Sequence, residues 1–178
     1  MRILTLSDLH GYVPIPEATP DLVILLGDID YYQLQKIDEQ FTCQKIGVLG
    51  NHDGLDFFQN TNILNLHRQT VEINGVTFAG FEGCPKYNRR TYLQYLEEET
   101  TDFMESCEKV DVFIAHSNPM LTFSMDLTDP HRGFASFTTY IEEKQPSYFI
   151  HGHIHEPSKT KLGNTNLICV YPHREIIL

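Results

Sequence analysis

The sequence predicts an α/β fold whose strands are buried and whose functional residues gather along one rim of the sheet. Three observations carry this. Short, nearly continuous aliphatic runs recur along the chain, as in strands covered on both faces. Stretches with helical spacing separate them. The runs stop at small clusters of Gly with Asp, Asn or His. In open α/β sheets, ligands bind beyond the carboxyl ends of the strands, so clusters distant in sequence are expected to meet.

Ile3 to Ser7 is short, apolar and β-branched, and is followed by Asp8-Leu9-His10-Gly11. Asp21 to Leu26 is aliphatic after its first residue and ends at Gly27-Asp28. A third run, Ile46 to Leu49, ends at Gly50-Asn51-His52-Asp53, and Tyr31 to Phe41 reads as the crossover helix before it. Asn74-Gly75 tolerates positive φ at both positions and so predicts a hairpin between Thr70–Ile73 and Val76–Ala79. Leu93, Leu96, Phe103, Met104 and Cys107 have the spacing of an amphipathic helix over Thr91 to Cys107. Val110 to Ala115 is another buried strand, ending at His116-Ser117-Asn118-Pro119. A long loop, a helix around Phe134 to Lys144 and the strand Tyr148 to Ile150 follow, the last running into His151-Gly152-His153-Ile154-His155. Closing strands are expected near Leu167 to Val170 and Glu175 to Leu178.

The chain of 178 residues lies within the usual span of one domain, roughly 100–200 residues, so a single domain over residues 1–178 is expected. With 41% hydrophobic and 21% charged residues it is too apolar for a disordered chain. The N-terminus reaches Asp8 before any signal-peptide apolar region forms, and Leu22 to Leu26 is far short of a membrane span. A soluble, cytoplasmic protein with no membrane partner is the expectation. Cys43, Cys84, Cys107 and Cys169 lack CxxC spacing and read as free thiols. A net charge of −11 argues against a broad basic face for extended nucleic acid.

Apart from His151, five of the nine histidines (His10, His52, His116, His153, His155) fall in the strand-end clusters. Together with Asp8, Asp28 and Asn51 they form a mixed set of imidazole, carboxylate and amide donors, which suits Mn, Fe, Zn, Co or Ni better than a calcium cage. Seven candidate ligands (Asp8, His10, Asp28, Asn51, His116, His153, His155) exceed the needs of one tetrahedral ion. Two ions sharing a carboxylate would use them all. Asp8 and His10 are two residues apart, as are His153 and His155, so an extended backbone would aim each pair to one side. Taken singly, Asp8 reads as a turn or cap residue, Asn51 as a turn residue tolerating αL, and His116 as a core histidine. Five coincidences are required for all those readings to hold together.

Asp8-Leu9-His10, Gly27-Asp28, Gly50-Asn51-His52-Asp53, Ala115-His116 and Gly152-His153-Ile154-His155 resemble, in order, the five signatures of calcineurin-like metallophosphoesterases. The resemblance runs from residue 8 to 155. It implies an α/β metallophosphoesterase-type sandwich, two mixed β-sheets packed face to face with helices outside. It further implies two divalent metal ions, manganese foremost and Fe, Zn, Ni or Co as alternatives. One would be held by Asp8, His10, Asp28 and His155, the other by Asp28, Asn51, His116 and His153, with Asp28 bridging. A metal-bridging hydroxide would attack phosphorus in line. His52 matches the histidine that supports the leaving oxygen, with Asp53 or Asp30 to orient it. The substrate implied is a small phosphate ester, a phosphodiester in preference to the monoester of a nucleotide or small metabolite. A non-catalytic, metal-binding interaction scaffold is the reading from a different class. The family's scaffold member in the retromer complex lacks the leaving-group histidine, whereas His52 is present here.

Two departures matter. Gly27-Asp28 continues as Ile29-Asp30-Tyr31 and not as the Asp-Arg-Gly of protein phosphatases. The chain also leaves no room for a large substrate-binding cap. Elsewhere, Asp28 to Glu39 mimics a calcium loop but carries Gln33 where glycine is needed. His151 reads as a rim or supporting residue. His131 and Arg132, in the long loop, read equally as substrate contacts or as a surface turn. Asn88-Arg89-Arg90 reads as a solvated helix approach in preference to a phosphate contact, Glu97-Glu98-Glu99 as a solvated helix face, and His67 and His173 carry no signal. Neither a GxSxG elbow nor a P-loop is present.

Overall fold

A computed structural model describes residues 1–11, 13–122 and 126–178. The strands in chain order are β1 (Arg2–Leu6), β2 (Leu22–Leu25), β3 (Gln44–Gly47), β4 (Ile63–Asn65), β5 (Thr70–Ile73), β6 (Val76–Phe81), β7 (Cys84–Pro85), β8 (Gln94–Tyr95), β9 (Val112–Ala115), β10 (Tyr148–His151), β11 (Ser158–Leu162), β12 (Thr165–Cys169) and β13 (His173–Ile177). The helices are α1 (Tyr31–Gln40), α2 (Glu97–Ser106) and α3 (Ala135–Lys144), with a 3-10 turn at Pro130–Arg132. One sheet has the order β13-β1-β2-β3-β4, the other β11-β12-β10-β9-β6-β5. Both are mixed: β1, β2, β3 and β4 run parallel with β13 antiparallel, and β6, β9, β10 and β12 run parallel between two antiparallel edges. The expected two-sheet α/β sandwich is what the chain adopts.

Strand periodicity explains why the runs are aliphatic throughout. Leu22 and Ile24 of β2 face the core between the sheets, while Val23 and Leu25 face α1, where Leu34 and Ile37 lie. Across the sandwich, Val112 and Ile114 of β9 face inward, and Phe113 and Ala115 face α2 and α3. Alternate residues thus enter two different cores. Burying one such side chain contributes about 1.5–3 kcal/mol, so both faces of each central strand hold it in register. On the helix side Phe113 stacks on Phe149, with ring centroids 5.2 Å apart.

The expected helix over Thr91 to Cys107 is shorter than its apolar spacing suggested. Leu93 is buried with φ at 55°, and Gln94–Tyr95 pairs with Cys84–Pro85 as a strand. The helix begins only at Glu97, where three acidic residues lie in the first turn and the Glu99 carboxylate accepts the Leu96 N–H at 2.8 Å. Nor is Glu97 a merely solvated residue. Its carboxylate accepts the N–H groups of Ala135 and Ser136, at 3.2 and 2.6 Å. It caps α3, whose own N-cap, Phe134, offers no side-chain acceptor. Four strands escaped the sequence reading: β4, β7 and β8 are three, two and two residues long, and β11 is a polar edge strand.

Candidate metal centre

The central parallel strands deliver their carboxyl ends to one rim, and the clusters meet there. The chain does not reach the rim in extended form. Asp8, Asp28, His153 and His155 have φ of 56°, 53°, 70° and 57°. The two-residue spacings work through tight turns instead: the His10 N–H donates to Asp8 O, and the Ile154 N–H to Gly152 O, both at 2.9 Å. Non-glycine residues in the left-handed region cost of order 1–3 kcal/mol each and cluster at functional sites. Four candidate ligands hold that conformation here because their loops are packed backbone to backbone. A Cβ on Gly50 would overlap the Asp28 carboxylate and amide. One on Gly152 would overlap Ser7 Oγ and lie 2.7 Å from Asp8 Oδ2.

Two donor groups result. Ligating atoms of Asp8, His10 and His155 lie within 4.8 Å of one another, and so do those of Asp28, His116 and His153. In the first group Asp8 Oδ2 is taken up by the Ser7 hydroxyl at 2.6 Å and the His153 N–H at 2.8 Å. Asp8 Oδ1 is left facing His155 Nε2 at 3.2 Å. In the second, Asp28 Oδ1 accepts the His52 N–H at 2.7 Å. Asp28 Oδ2 then lies 3.4 Å from His116 Nε2 and 3.9 Å from His10 Nε2, between the two groups.

Backbone carbonyls orient the imidazoles. The His116 Nδ1–H donates to Leu26 O at 2.7 Å, turning Nε2 toward Asp28 and toward Asn51 Oδ1, 2.9 Å away. The His153 Nε2–H donates to Pro130 O at 3.0 Å, which leaves Nδ1 as the donor atom. Holding the second ring nitrogen in this way fixes tautomer and orientation.

The donor set fits divalent cations: carboxylate and imidazole atoms converge in two groups, each within 4.8 Å. The titrations reflect the same convergence. Burial and the neighbouring Asp28 oppose one another at His116, and Asp28 prevails, raising it to about 9. Burial disfavours the charged form of Asp28, yet His116 holds its carboxyl well below the usual range. His153 is pushed far down by burial and then by His116, so it stays a neutral donor.

All seven residues expected as ligands meet at this rim, and exposed His52 sits beside them, its ring 5.8 Å from that of His10. Asp53 and Asp30 are placed differently from expectation. Asp53 is buried, and its carboxylate accepts the N–H groups of Gly50, Asp28 and Ile29 at 2.7, 3.0 and 3.3 Å. Asp30 accepts the Gly11 N–H at 3.0 Å. Among the described residues neither hydrogen-bonds the His52 ring, so Asp53 is a brace between two ligand loops. Burial, then Asp28, push Asp53 up to about 7 against the pull of those donors.

Arg90 is not a solvated residue either. Its guanidinium donates to Asn51 O and to Asp53 O, the latter at 3.2 Å, and lies over Tyr92. Arg132 donates to Leu127 O, Asp129 O and Lys86 O, which ties the 3-10 turn down. That turn lays the exposed His131 ring 4.7 Å from His153. His151 is buried, belongs to neither donor group, and is pushed down to about 4 by burial. His67 packs between Phe81 and Tyr95 and accepts the Glu82 N–H. Ser7, the Leu26 and Pro130 carbonyls and Arg90 were missed. A polar residue closing an aliphatic strand was a signal for Ser7; backbone carbonyls leave none.

Residues 1–172 match the family model described as the calcineurin-like phosphoesterase superfamily domain. UPF0046 protein K07C11.7 of Caenorhabditis elegans is 27% identical over 201 residues, covering 94% of this chain and 68% of that protein. The phosphopantetheinyl hydrolase PptH of Mycobacterium tuberculosis superposes with a TM-score of 0.68 at 14% identity, over 98% of this chain and 95% of that one. TT1561 of Thermus thermophilus gives 0.65 at 13% identity, over 94% and 88%. Vps29 of Entamoeba histolytica, complexed with zinc, gives 0.50 at 14% identity, over 95% and 73%. At these identities the solved structures speak for the fold.

Proposed function

The chain belongs to the calcineurin-like phosphoesterase superfamily and is a metal-dependent phosphoric-ester hydrolase, and from that premise we propose that it cleaves a small phosphodiester at a two-metal centre. Asp8, His10, Asp28 and His155 would hold one ion, and Asp28, Asn51, His116 and His153 the other. Manganese is the proposed metal. The observation that carries the pair is Asp28 Oδ2, which lies between the two donor groups while Oδ1 is occupied by the His52 N–H. Bound there, two ions would supply Lewis acidity toward the phosphoryl oxygens and lower the pKa of an attacking water.

The chain's own residues do the rest. His10 and His155, 42% and 46% exposed, open the centre to solvent, whereas His116 is fully buried, so substrate approaches from the first donor group. His52 stands at that opening and is the proton donor or charge partner for the leaving oxygen. His131, whose ring packs against His153, lines a cleft that would take a second ester arm. That room favours a diester over a monoester. A small phosphate ester is therefore the proposed partner, with no extended nucleic acid. No described helix is long and apolar enough to cross a membrane.

The test is hydrolysis of bis-p-nitrophenyl phosphate and p-nitrophenyl phosphate by the manganese-loaded protein. Faster turnover of the diester is expected. Turnover of the monoester alone would reverse the substrate preference, and metal bound without turnover of either would favour a scaffold.

A further inference from the structure

We infer that Arg90 is a positioning residue for His52: its guanidinium grips the turn that carries His52 and so holds the imidazole in place for the leaving oxygen. The inference rests on the hydrolase reading and adds what places its proton donor.

His52 is exposed and stands edge-on to His10, and among the described residues its ring makes no hydrogen bond. The backbone beneath it must therefore set its position. That backbone is held from two sides. The peptide between Asn51 and His52 donates its N–H to Asp28 Oδ1 at 2.7 Å, while its C=O accepts a bond from the Arg90 guanidinium. A second guanidinium nitrogen donates to Asp53 O at 3.2 Å, so one planar fork spans the carbonyls on either side of His52. Bonds from a charged donor are roughly twice as strong as neutral ones. A peptide fixed at both its N–H and its C=O cannot swing about the torsions that flank it, ψ of Asn51 and φ of His52. Asp28 is also the carboxylate between the two donor groups. Arg90, the peptide and Asp28 thus form one line that ties His52 to the proposed centre.

The strap between β7 and β8 is built to present this one side chain. Gln94 is buried on β8, and its carboxamide oxygen accepts the N–H groups of Tyr87 and Asn88, both at 3.4 Å. Asn88 Oδ1 in turn accepts the Arg90 N–H at 2.8 Å, closing an Asx turn that sets where Arg90 leaves the strap. The Tyr92 ring lies against the guanidinium, 4.1 Å from ring centroid to Cζ, which restricts its rotamers. Arg89 carries the same charge one residue earlier. It is exposed and makes no such bond to the turn among the described residues. Geometry, and not charge alone, distinguishes the two.

Methyl phenyl phosphate and methyl p-nitrophenyl phosphate share their retained arm and differ in the leaving group. Phenolate is the more basic and depends more on a proton donor. At saturating manganese, Arg90→Ala should lower kcat for the phenyl ester about 10²-fold, the cost of a small misplacement, and for the nitrophenyl ester only a few-fold, with KM for both nearly unchanged. In a His52→Ala background the further loss from Arg90→Ala should vanish, since both act through one group. Arg90→Lys keeps the charge but reaches one carbonyl, and should fall between wild type and Arg90→Ala; it carries the test should the alanine variant not fold. Arg89→Ala should leave both rates as they are. Without metal or substrate, hydrogen exchange at the His52 amide should accelerate about 10–100-fold in Arg90→Ala and not in Arg89→Ala. A wild-type protein that hydrolyses neither ester would sink the hydrolase reading, whatever Arg90 does. In an active protein, equal losses on the two esters, a loss undiminished in His52→Ala, a matching loss in Arg89→Ala or an unchanged amide exchange would each overturn the role of Arg90 alone.

Discussion

Replacing Asp53 by Asn separates two roles that this carboxylate could have. It accepts three backbone N–H groups, those of Gly50 and Asp28 on Oδ2 and that of Ile29 on Oδ1. Gly50 precedes the ligand Asn51, and Asp28 is itself a ligand, so the carboxylate clamps two ligand loops together. Asparagine keeps one oxygen and turns an NH₂ group toward whatever the other oxygen accepted. At least one buried N–H loses its acceptor, and the remaining bonds lose their charge. A hydrogen bond to a charged group contributes about 1.5–3 kcal/mol, and an orphaned buried donor costs about 1–3 kcal/mol. Against a total stability of about 5–15 kcal/mol, the variant should fold with a visibly lower Tm. Manganese affinity should fall about 10–100-fold, as for other groups that orient ligands. Thermal unfolding with and without EDTA, and calorimetric titration with manganese, measure the two effects. At saturating manganese, kcat should recover to within a few-fold. Unchanged metal affinity with kcat down a hundredfold or more would refute the brace and make Asp53 a direct partner of His52.

Three further outcomes follow from the same geometry. Gly152→Ala should abolish metal binding, since its Cβ would overlap Ser7 Oγ and press on Asp8, while Gly75→Ala, at positive φ but with nothing within 4 Å, should cost only about 1 kcal/mol; metal analysis and melting curves of both variants decide this. His52→Ala should retain metal and lower turnover by about 10²–10⁴-fold, and a variant with undiminished turnover would remove His52 from the reaction. Above about pH 7, stability of the metal-free protein should fall as pH rises, whereas the lowered His67, His151 and His153 oppose that trend below about pH 6.5. His116, at about 9 when folded against 6.5 in its ordinary state, contributes stability fully below about pH 6.5 and loses it through pH 9; Asp53, raised from 3.8 to about 7, acts in the same direction between those values. Melting curves from pH 4 to 9, with chelator and with manganese, test this, and a metal-free Tm that rises over pH 7 to 9 would contradict it.

Much of this fold was legible because its strands are buried on both faces. Leu22 to Leu25 alternate between two cores, so the run is aliphatic at every position and ends abruptly where the chain turns at Gly27-Asp28. The ligands stand at those ends, where a change from aliphatic to Asp, Asn or His is easy to see. The mechanism of the turn was not legible. Spacing of two suggested extended backbone, yet Asp8 and His155 lie in the left-handed region, where loops far apart in sequence approach closely. Asp53 looked like a partner for its neighbour His52 because sequence shows adjacency; its true partners, the amides of Asp28 and Ile29, are brought to it by the sheet. Leu93 has an apolar residue's place in a helical pattern, but it is buried in a turn, which hydrophobic periodicity does not distinguish. Glu97 capping α3 from another helix is of the same kind.

The central claim, two adjacent ions joined through Asp28, is tested most directly by titrating the metal-free chain with manganese while recording its electron paramagnetic resonance spectrum. Two ions per chain with an exchange-coupled signal, replaced in Asp28→Asn by weak binding at both positions, is the result this geometry predicts. A single ion per chain, or two ions without magnetic coupling, would contradict it.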